Sequence, residues 1–211
     1  WLAVEGPVLP DFDQNIHVVD EFTLPDFWPR YRGLDYGQSA PTAVLWAAIE
    51  PSGNVFVYRE YYQGGLTIKQ HADNIHALTG GERILFTACD PHMRSKTLDS
   101  AVGLYSPIDE FARQGIVLAP SSSDTLASIA RIRDLLSIDH SRMHPLKLTR
   151  PSPRLFMFDS CKQLIEQLAS WRWKPEMRAG RDVPHEDKND HSRDAFRYLA
   201  MMLPNLDNQA N

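Results

Sequence analysis

Cysteine is scarce in this chain: of 211 residues only Cys89 and Cys161 are thiols, both inside apolar segments and neither in a CxxC pair. That pattern excludes a zinc ribbon and argues against a disulfide framework, which leaves buried thiols in a reducing compartment. No apolar run approaches the ~18 residues that a bilayer-spanning helix needs, and no secretory leader is present, so a soluble globular chain is expected. A GxxxxGK[ST] phosphate loop is also missing, so ATP hydrolysis is not expected of this stretch. There is no internal repeat or low-complexity tract, and no initiating methionine before Trp1, which reads as a piece of a longer protein.

The sequence holds 43% hydrophobic residues, enough to fill a core, and 23% charged ones at a net charge of −5. A net negative chain looks ill-suited to a polyanion, but the charge is unevenly placed. Residues 1–29 carry six acids (Glu5, Asp11, Asp13, Asp20, Glu21, Asp26) and no Lys or Arg. The remaining 182 residues hold all 22 bases against 21 acids. With Pro7, Pro10, Pro25 and Pro29 and no steady period, residues 1–29 read as an extended acidic connector ahead of a near-neutral body, 30–211.

Within the body, 32–37, 42–49 and 55–62 read as three strands of an antiparallel meander, the last two joined by a turn at Pro51-Ser52-Gly53. Thr67 is placed to cap a helix over 67–78, with Ile68, Ala72, Ile75 and Leu78 on one face, stopped by Gly80-Gly81. Residues 83–91 form an apolar strand ending in Asp90-Pro91. A helix starting at Ser106-Pro107, a short strand over 116–119 and an amphipathic helix over 125–138 follow. A strand over 154–158 precedes Ser160-Cys161-Lys162-Gln163, a capping-box pattern opening a helix that ends near Trp171. Residues 172–189 read as a polar surface loop, and the last helix runs over 190–202 until Pro204. A meander followed by helical crossovers predicts an α/β fold: a mixed central sheet with helices on both faces.

Three distant segments place acids where such a sheet would gather them. Asp35 ends the first strand and Asp90 the fourth; if those strands are parallel neighbours, the two carboxylates lie about 4.8 Å apart, one strand spacing. Asp194 lies one turn into the last helix, and Asp190 and His191, four and three residues before it, project from the same side. Three carboxylates packed closely repel one another unless a cation sits among them. Hydrolysis of a phosphodiester uses such a set, with two divalent ions about 3.5–4 Å apart activating water and relieving charge on the leaving oxygen. Each residue alone has a plainer reading: Asp35 and Asp90 as turn residues, Asp190 as the helix N-cap, His191 as a surface residue, and Asp194 in salt bridges with Arg193 and Arg197.

The residues carrying the pattern resemble those of the C-terminal nuclease domain of the large terminase subunit of tailed double-stranded DNA phages, over roughly 30–203. The resemblance rests on Gly33-Leu34-Asp35-Tyr36-Gly37 with Pro41-Thr42-Ala43, on Tyr58-Arg59-Glu60-Tyr61-Tyr62, on Asp90-Pro91, on Cys161 with Leu164-Ile165-Glu166 ahead of Trp171 and Trp173, and on Asn189-Asp190-His191-Ser192-Arg193-Asp194-Ala195-Phe196-Arg197-Tyr198-Leu199. It implies a ribonuclease H-like fold and a metal-dependent endonuclease that cuts concatemeric viral DNA during genome packaging, with two Mg²⁺ or Mn²⁺ ions. Catalysis and metal binding would fall to Asp35, bridging both ions, Asp90 on the leaving-group side and Asp194 on the water side. His191 is a further candidate ligand and Asp190 a weaker one. The first helix lacks the glutamate that cellular ribonucleases H carry there. The same resemblance implies an ATPase motor preceding the domain, to which 1–29 would be the connector. It also implies a portal protein and a small terminase subunit as partners and the host cell cytoplasm as location. A junction resolvase of the same fold, and a module docking DNA or a portal with incidental cleavage, are the alternatives.

Residues 141–183 hold nine bases against four acids. With Trp171 and Trp173 this stretch is expected to line a groove for double-stranded DNA through backbone contacts from Arg172, Lys174, Arg178 and Arg181. Lys188 and Arg193 are expected near the scissile phosphate. For Trp171 a place in the core is the preferred reading.

Overall fold

The structure is a computed structural model that describes residues 6–99, 103–173 and 190–206. Along the chain run α1 (Gln14–His17), β1 (Val18–Val19), β2 (Arg30–Asp35), β3 (Thr42–Ile49), β4 (Val55–Gln63), α2 (Ile68–Thr79) and β5 (Ile84–Cys89). After a 3₁₀ turn at Pro91–Arg94 come β6 (Thr97–Asp99), β7 (Gly103–Tyr105), α3 (Pro107–Arg113), β8 (Ala119–Pro120), α4 (Thr125–Leu136), β9 (Leu155–Phe158), α5 (Lys162–Ser170) and α6 (His191–Met202).

Seven strands form one sheet in the order β1-β9-β4-β3-β2-β5-β8, and β6 and β7 pair separately. The meander β2-β3-β4 is antiparallel, while β5 lies parallel beside β2 and β9 parallel beside β4. The expected mixed sheet is therefore present. Every residue of β3 is buried, as befits a central strand covered on both faces. On one face Arg32 reaches Thr79 of α2, and Trp46 of β3 donates to the same hydroxyl. On the other, α6 packs across β2, β3 and β5 and is flanked by α4 and α5.

Gly33 sets how closely α6 approaches. A Cβ at this position would lie 2.2 Å from the Ala195 carbonyl oxygen and 2.8 Å from Leu199 Cβ. Only a residue without a side chain admits that contact, because helix backbone rather than a flexible side chain stands opposite.

Local details depart from the sequence reading in three places. Residues 6–29, read as an extended connector, pack on the body. Val8, Leu9, Val19, Leu24 and Trp28 are buried, and β1 extends the sheet through Val18↔Met157 and Val19↔Phe158. Their apolar residues recur at no fixed interval, so no helix or strand period announces them. In α2 the Thr67 capping box forms, yet Leu78 is exposed and His71 takes the inward place, with Tyr61 Oη 2.8 Å and Thr42 Oγ1 3.2 Å from its ring nitrogens. The capping box expected at Ser160–Gln163 does not form: Cys161 is the N-cap and makes no side-chain cap. Its thiol is turned inward, 3.6 Å from the Val57 carbonyl.

Cys161 and Cys89 are both free and buried, and burial pushes the Cys89 thiol up to about 12. No helix among the described residues is long and apolar enough to cross a membrane.

Replacing Gly33 by Ala is expected to lower unfolding free energy by about 1–3 kcal/mol through forced displacement of α6. Urea denaturation would show it; an unchanged midpoint would mean that α6 does not bear on β2 this closely.

Candidate active site

The register between β2 and β5 pairs Gly33 with Ala88 and Leu34 with Cys89, so Asp35 and Asp90 are the next residues on two adjacent parallel strands. Alternation puts Asp35 on the same face as Gly33, which is the face that α6 covers. Helix α6 begins one residue after Asp190 and brings His191 and Asp194 over the strand ends. Asp35 and Asp90 thus follow paired residues on adjacent parallel strands, and His191 of α6 meets Asp35 directly.

Electrostatics confirm the crowding. Burial holds the Asp35 carboxyl above the usual carboxylate range, and Asp194 and Asp90 push it the same way; the hydrogen bond from His191 opposes them. Burial also raises Asp194, with Asp190 adding to the effect against Arg197 and Arg193. The hydrogen bond to Asp35 raises His191, favouring the imidazolium, and its Nδ1 lies 2.6 Å from Asp35 Oδ2. His191 is the cationic partner that Asp35 finds within the site.

Every acid is committed to a protein partner. Arg197 Nη1 donates to Asp194 Oδ1 at 2.7 Å, so the salt-bridge reading of Asp194 holds alongside its place in the cluster. Asp90 Oδ1 accepts the His92 backbone N–H at 2.8 Å, with His92 Nδ1 equally close. Its Oδ2 accepts from the Tyr198 hydroxyl at 3.1 Å. Among the described residues, no group of three or more His, Cys, Asp or Glu is gathered tightly enough to hold a metal ion as it stands.

One expectation holds in position only, and another needs correction. Asp190 is the N-cap of α6 and its carbonyl accepts the Asp194 N–H, but its carboxylate makes no cap and binds the Arg193 guanidinium instead. Arg193 itself, expected at the scissile phosphate, is only 3% exposed. Its guanidinium lies 4.5 Å from the centre of the Trp171 ring and bridges toward Asp190 and Asp194. Burial and its pairing with Asp190 and Asp194 give it a packing role, with Nε left without a hydrogen bond, and turn it away from an exposed phosphate contact. Trp171 is in the core, as preferred.

Among the other basic candidates, Arg172 is exposed and donates to the Ala169 and Trp171 carbonyls. Lys174, Arg178, Arg181 and Lys188 lie outside the described residues. Arg142 falls at the far end of the sheet, against Ser52 and Asn54 in the β3–β4 turn, away from the acids. A groove of about 1140 Å³ bordered by Glu21, Asp26, Arg30, Arg59 and Glu82 also lies at the Arg30 end of β2. Of its arginines, Arg30 and Arg59 are already paired with Glu82 and Asp26.

Sequence reasoning assigned no role to Tyr198 or His92. Tyr198 stands four residues after Asp194, hence on the same helix face, which was the available signal. Burial first, and then Asp35, Asp90 and Asp194, push its hydroxyl above the usual tyrosine range.

The sequence matches no family model. It is 25% identical over 206 residues to the terminase large subunit of Escherichia phage T5, an alignment covering 92% of this chain and 41% of that protein. The large terminase of a thermophilic bacteriophage, in complex with ADP, superposes with a TM-score of 0.74 at 22% identity, over 96% of this chain and 46% of the other. This chain therefore spans less than half the length of both relatives. The large terminase nuclease domain of bacteriophage SPP1 with bound Mn gives a TM-score of 0.56 at 15% identity, over 88% of this chain and 94% of that domain.

A double-mutant cycle of Tyr198→Phe with Asp90→Ala is expected to show a coupling of about 0.5–1.5 kcal/mol in urea unfolding, the worth of one partly buried hydrogen bond. Strictly additive costs would mean that the bond is not made. In sequence the chain is similar to a phage terminase large subunit, and its fold is that of the large terminase nuclease domains.

Proposed function

We propose that this domain is a divalent-metal-dependent endonuclease acting on double-stranded DNA, and that it cuts concatemeric viral DNA during genome packaging. The observation that carries the reading is the convergence of Asp35, Asp90, Asp194 and His191 at the ends of β2 and β5 and the first turn of α6. The similarity to a terminase large subunit and to a nuclease domain described with bound Mn supports it.

The residues present fit a pair of Mg²⁺ or Mn²⁺ ions in the chemistry of their donors. Carboxylate oxygens suit hard cations, and burial, with neighbouring acids adding to it, holds the Asp35 and Asp194 carboxyls above their usual range. His191 Nε2 is buried without a hydrogen-bond partner, leaving a nitrogen free beside the acids. Asp35 would serve both ions, Asp90 the leaving-group side and Asp194 the water side, with His191 as an additional ligand. When bound, the ions supply Lewis acidity to the phosphodiester and to the attacking water.

The chain's own groups prepare the site. Arg197 fixes the rotamer of Asp194, and the Tyr198 hydroxyl and the His92 backbone N–H aim Asp90. His191 holds Asp35 through its Nδ1. Duplex would be gripped by Arg172 together with Lys174, Arg178, Arg181 and Lys188, through sequence-independent phosphate contacts. An ATPase domain in the same full-length chain, a portal protein and a small terminase subunit belong to this proposal as partners.

Asp35→Asn is expected to abolish Mn²⁺-dependent cleavage of plasmid DNA while leaving binding of linear duplex intact. Mn²⁺ should raise the melting temperature of the native chain, and Asp194→Ala should remove most of that rise. Wild-type nicking by Asp35→Asn, or an undiminished shift in Asp194→Ala, would contradict the assignment.

A further inference from the structure

Glu60 was assigned no function, yet its surroundings are unusual for an acid. It stands on β4 opposite Leu45, which in turn stands opposite Gly33, so its side chain belongs to the sheet face that α6 covers. Both carboxylate oxygens are used. Oε2 accepts the Gln163 backbone N–H and Oε1 the Leu164 backbone N–H, each at 2.8 Å. Oε1 also accepts the hydroxyl of Ser192 at 2.7 Å, and Ser192 is fully buried.

Two helix starts are therefore organised from elsewhere. Helix α5 has no cap of its own, since Cys161 makes none, and Glu60 takes over the first free N–H groups. Helix α6 has no side-chain cap from Asp190. Its Arg193 N–H goes to Gln167 Oε1 of α5 at 2.9 Å, and its Ser192 hydroxyl goes to Glu60. A local Ser, Thr or Asn would cap α5 at less desolvation cost than a buried carboxylate. What a local cap lacks is a second oxygen able to reach α6. Glu60 joins β4, α5 and α6 through one rigid group, and the residue it holds on α6 sits between His191 and Asp194.

We propose that Glu60 is a positioning residue for the metal centre: through Ser192 it fixes the first turn of α6, and with it the reach of His191 and Asp194 toward Asp35. The inference rests on the nuclease reading above. Outer groups that orient ligands typically control metal affinity by about 10–100-fold. A glutamine here presents an NH₂ where a carboxylate oxygen accepted, so at least one of the three bonds must break, and both the Leu164 and Ser192 bonds when the NH₂ takes the Oε1 place. Ser192→Ala cuts only the link to α6 and leaves the α5 cap in place.

The test measures Mn²⁺ affinity by calorimetry, Mn²⁺-dependent plasmid cleavage and urea stability for the native chain, Glu60→Gln, Ser192→Ala and Asp35→Asn. Glu60→Gln and Ser192→Ala are expected to bind Mn²⁺ about 10–100-fold more weakly and to cleave more slowly at subsaturating metal, with excess Mn²⁺ restoring part of the rate. If both bind Mn²⁺ like the native chain, with only a lower urea midpoint in Glu60→Gln, Glu60 is merely the cap of α5 and the inference falls while the nuclease reading stands. If the native chain binds no Mn²⁺, or Asp35→Asn binds it equally well, the nuclease reading falls and takes the inference with it.

Discussion

The contact between α6 and β2 at Gly33 is the constraint on which the rest of the structure depends. A hydrogen in place of a side chain lets the Ala195 carbonyl and Leu199 rest on the strand. Ala195 follows Asp194, and Asp35 lies two residues beyond Gly33 on the same face. The close approach therefore delivers the helix-borne acid to the strand-borne one. The parallel register of β2 and β5 adds Asp90 alongside. No single element contains the site, and the spacing among its parts is inherited from the packing of a helix on a sheet.

Packing brings the acids together, and cationic or hydrogen-donating partners let them stay. His191 answers Asp35, Arg197 answers Asp194, Arg193 answers Asp190, and Tyr198 with His92 answers Asp90. Even with these partners, burial and the neighbouring acids still raise Asp35 and Asp194. On the proposed reading, added cations would be favoured there once the partners yield their carboxylate oxygens. The same supports explain why α6 is capped from α5 and β4: a helix start organised by Glu60 and Gln167 is tied to the scaffold rather than to the loop before it.

Much of this was legible in residues alone. The meander, the apolar strand ending in Asp90 and the helix bearing Asp194 follow from alternation, turn residues and helical spacing, and the strand ends needed only the assumption of parallel neighbours to bring Asp35 beside Asp90. What escaped had no periodic signal. The apolar residues of 6–29 are irregularly spaced, so their burial depends on a surface that exists only after the sheet has formed. Sequence alone places Arg193 near the scissile phosphate or in a salt bridge with Asp194; the second reading holds, and its enclosure by Trp171 and Asp190 had no signal in the residues. Glu60 read as one residue of an aromatic strand, because its partners lie more than a hundred positions away. Tyr198 was within reach of the sequence through its spacing from Asp194. Its bond to Asp90 became visible only when α6 was laid across β5.

The central claim is that Asp35, Asp90 and Asp194 form one cation-binding centre at the junction of β2, β5 and α6. Anomalous diffraction at the manganese edge from crystals soaked in Mn²⁺ tests it most directly. The account predicts anomalous peaks between Asp35, Asp90 and Asp194, with the His191 ring moved off Asp35. Peaks confined to other carboxylates, with the His191–Asp35 pair intact at saturating Mn²⁺, would contradict it.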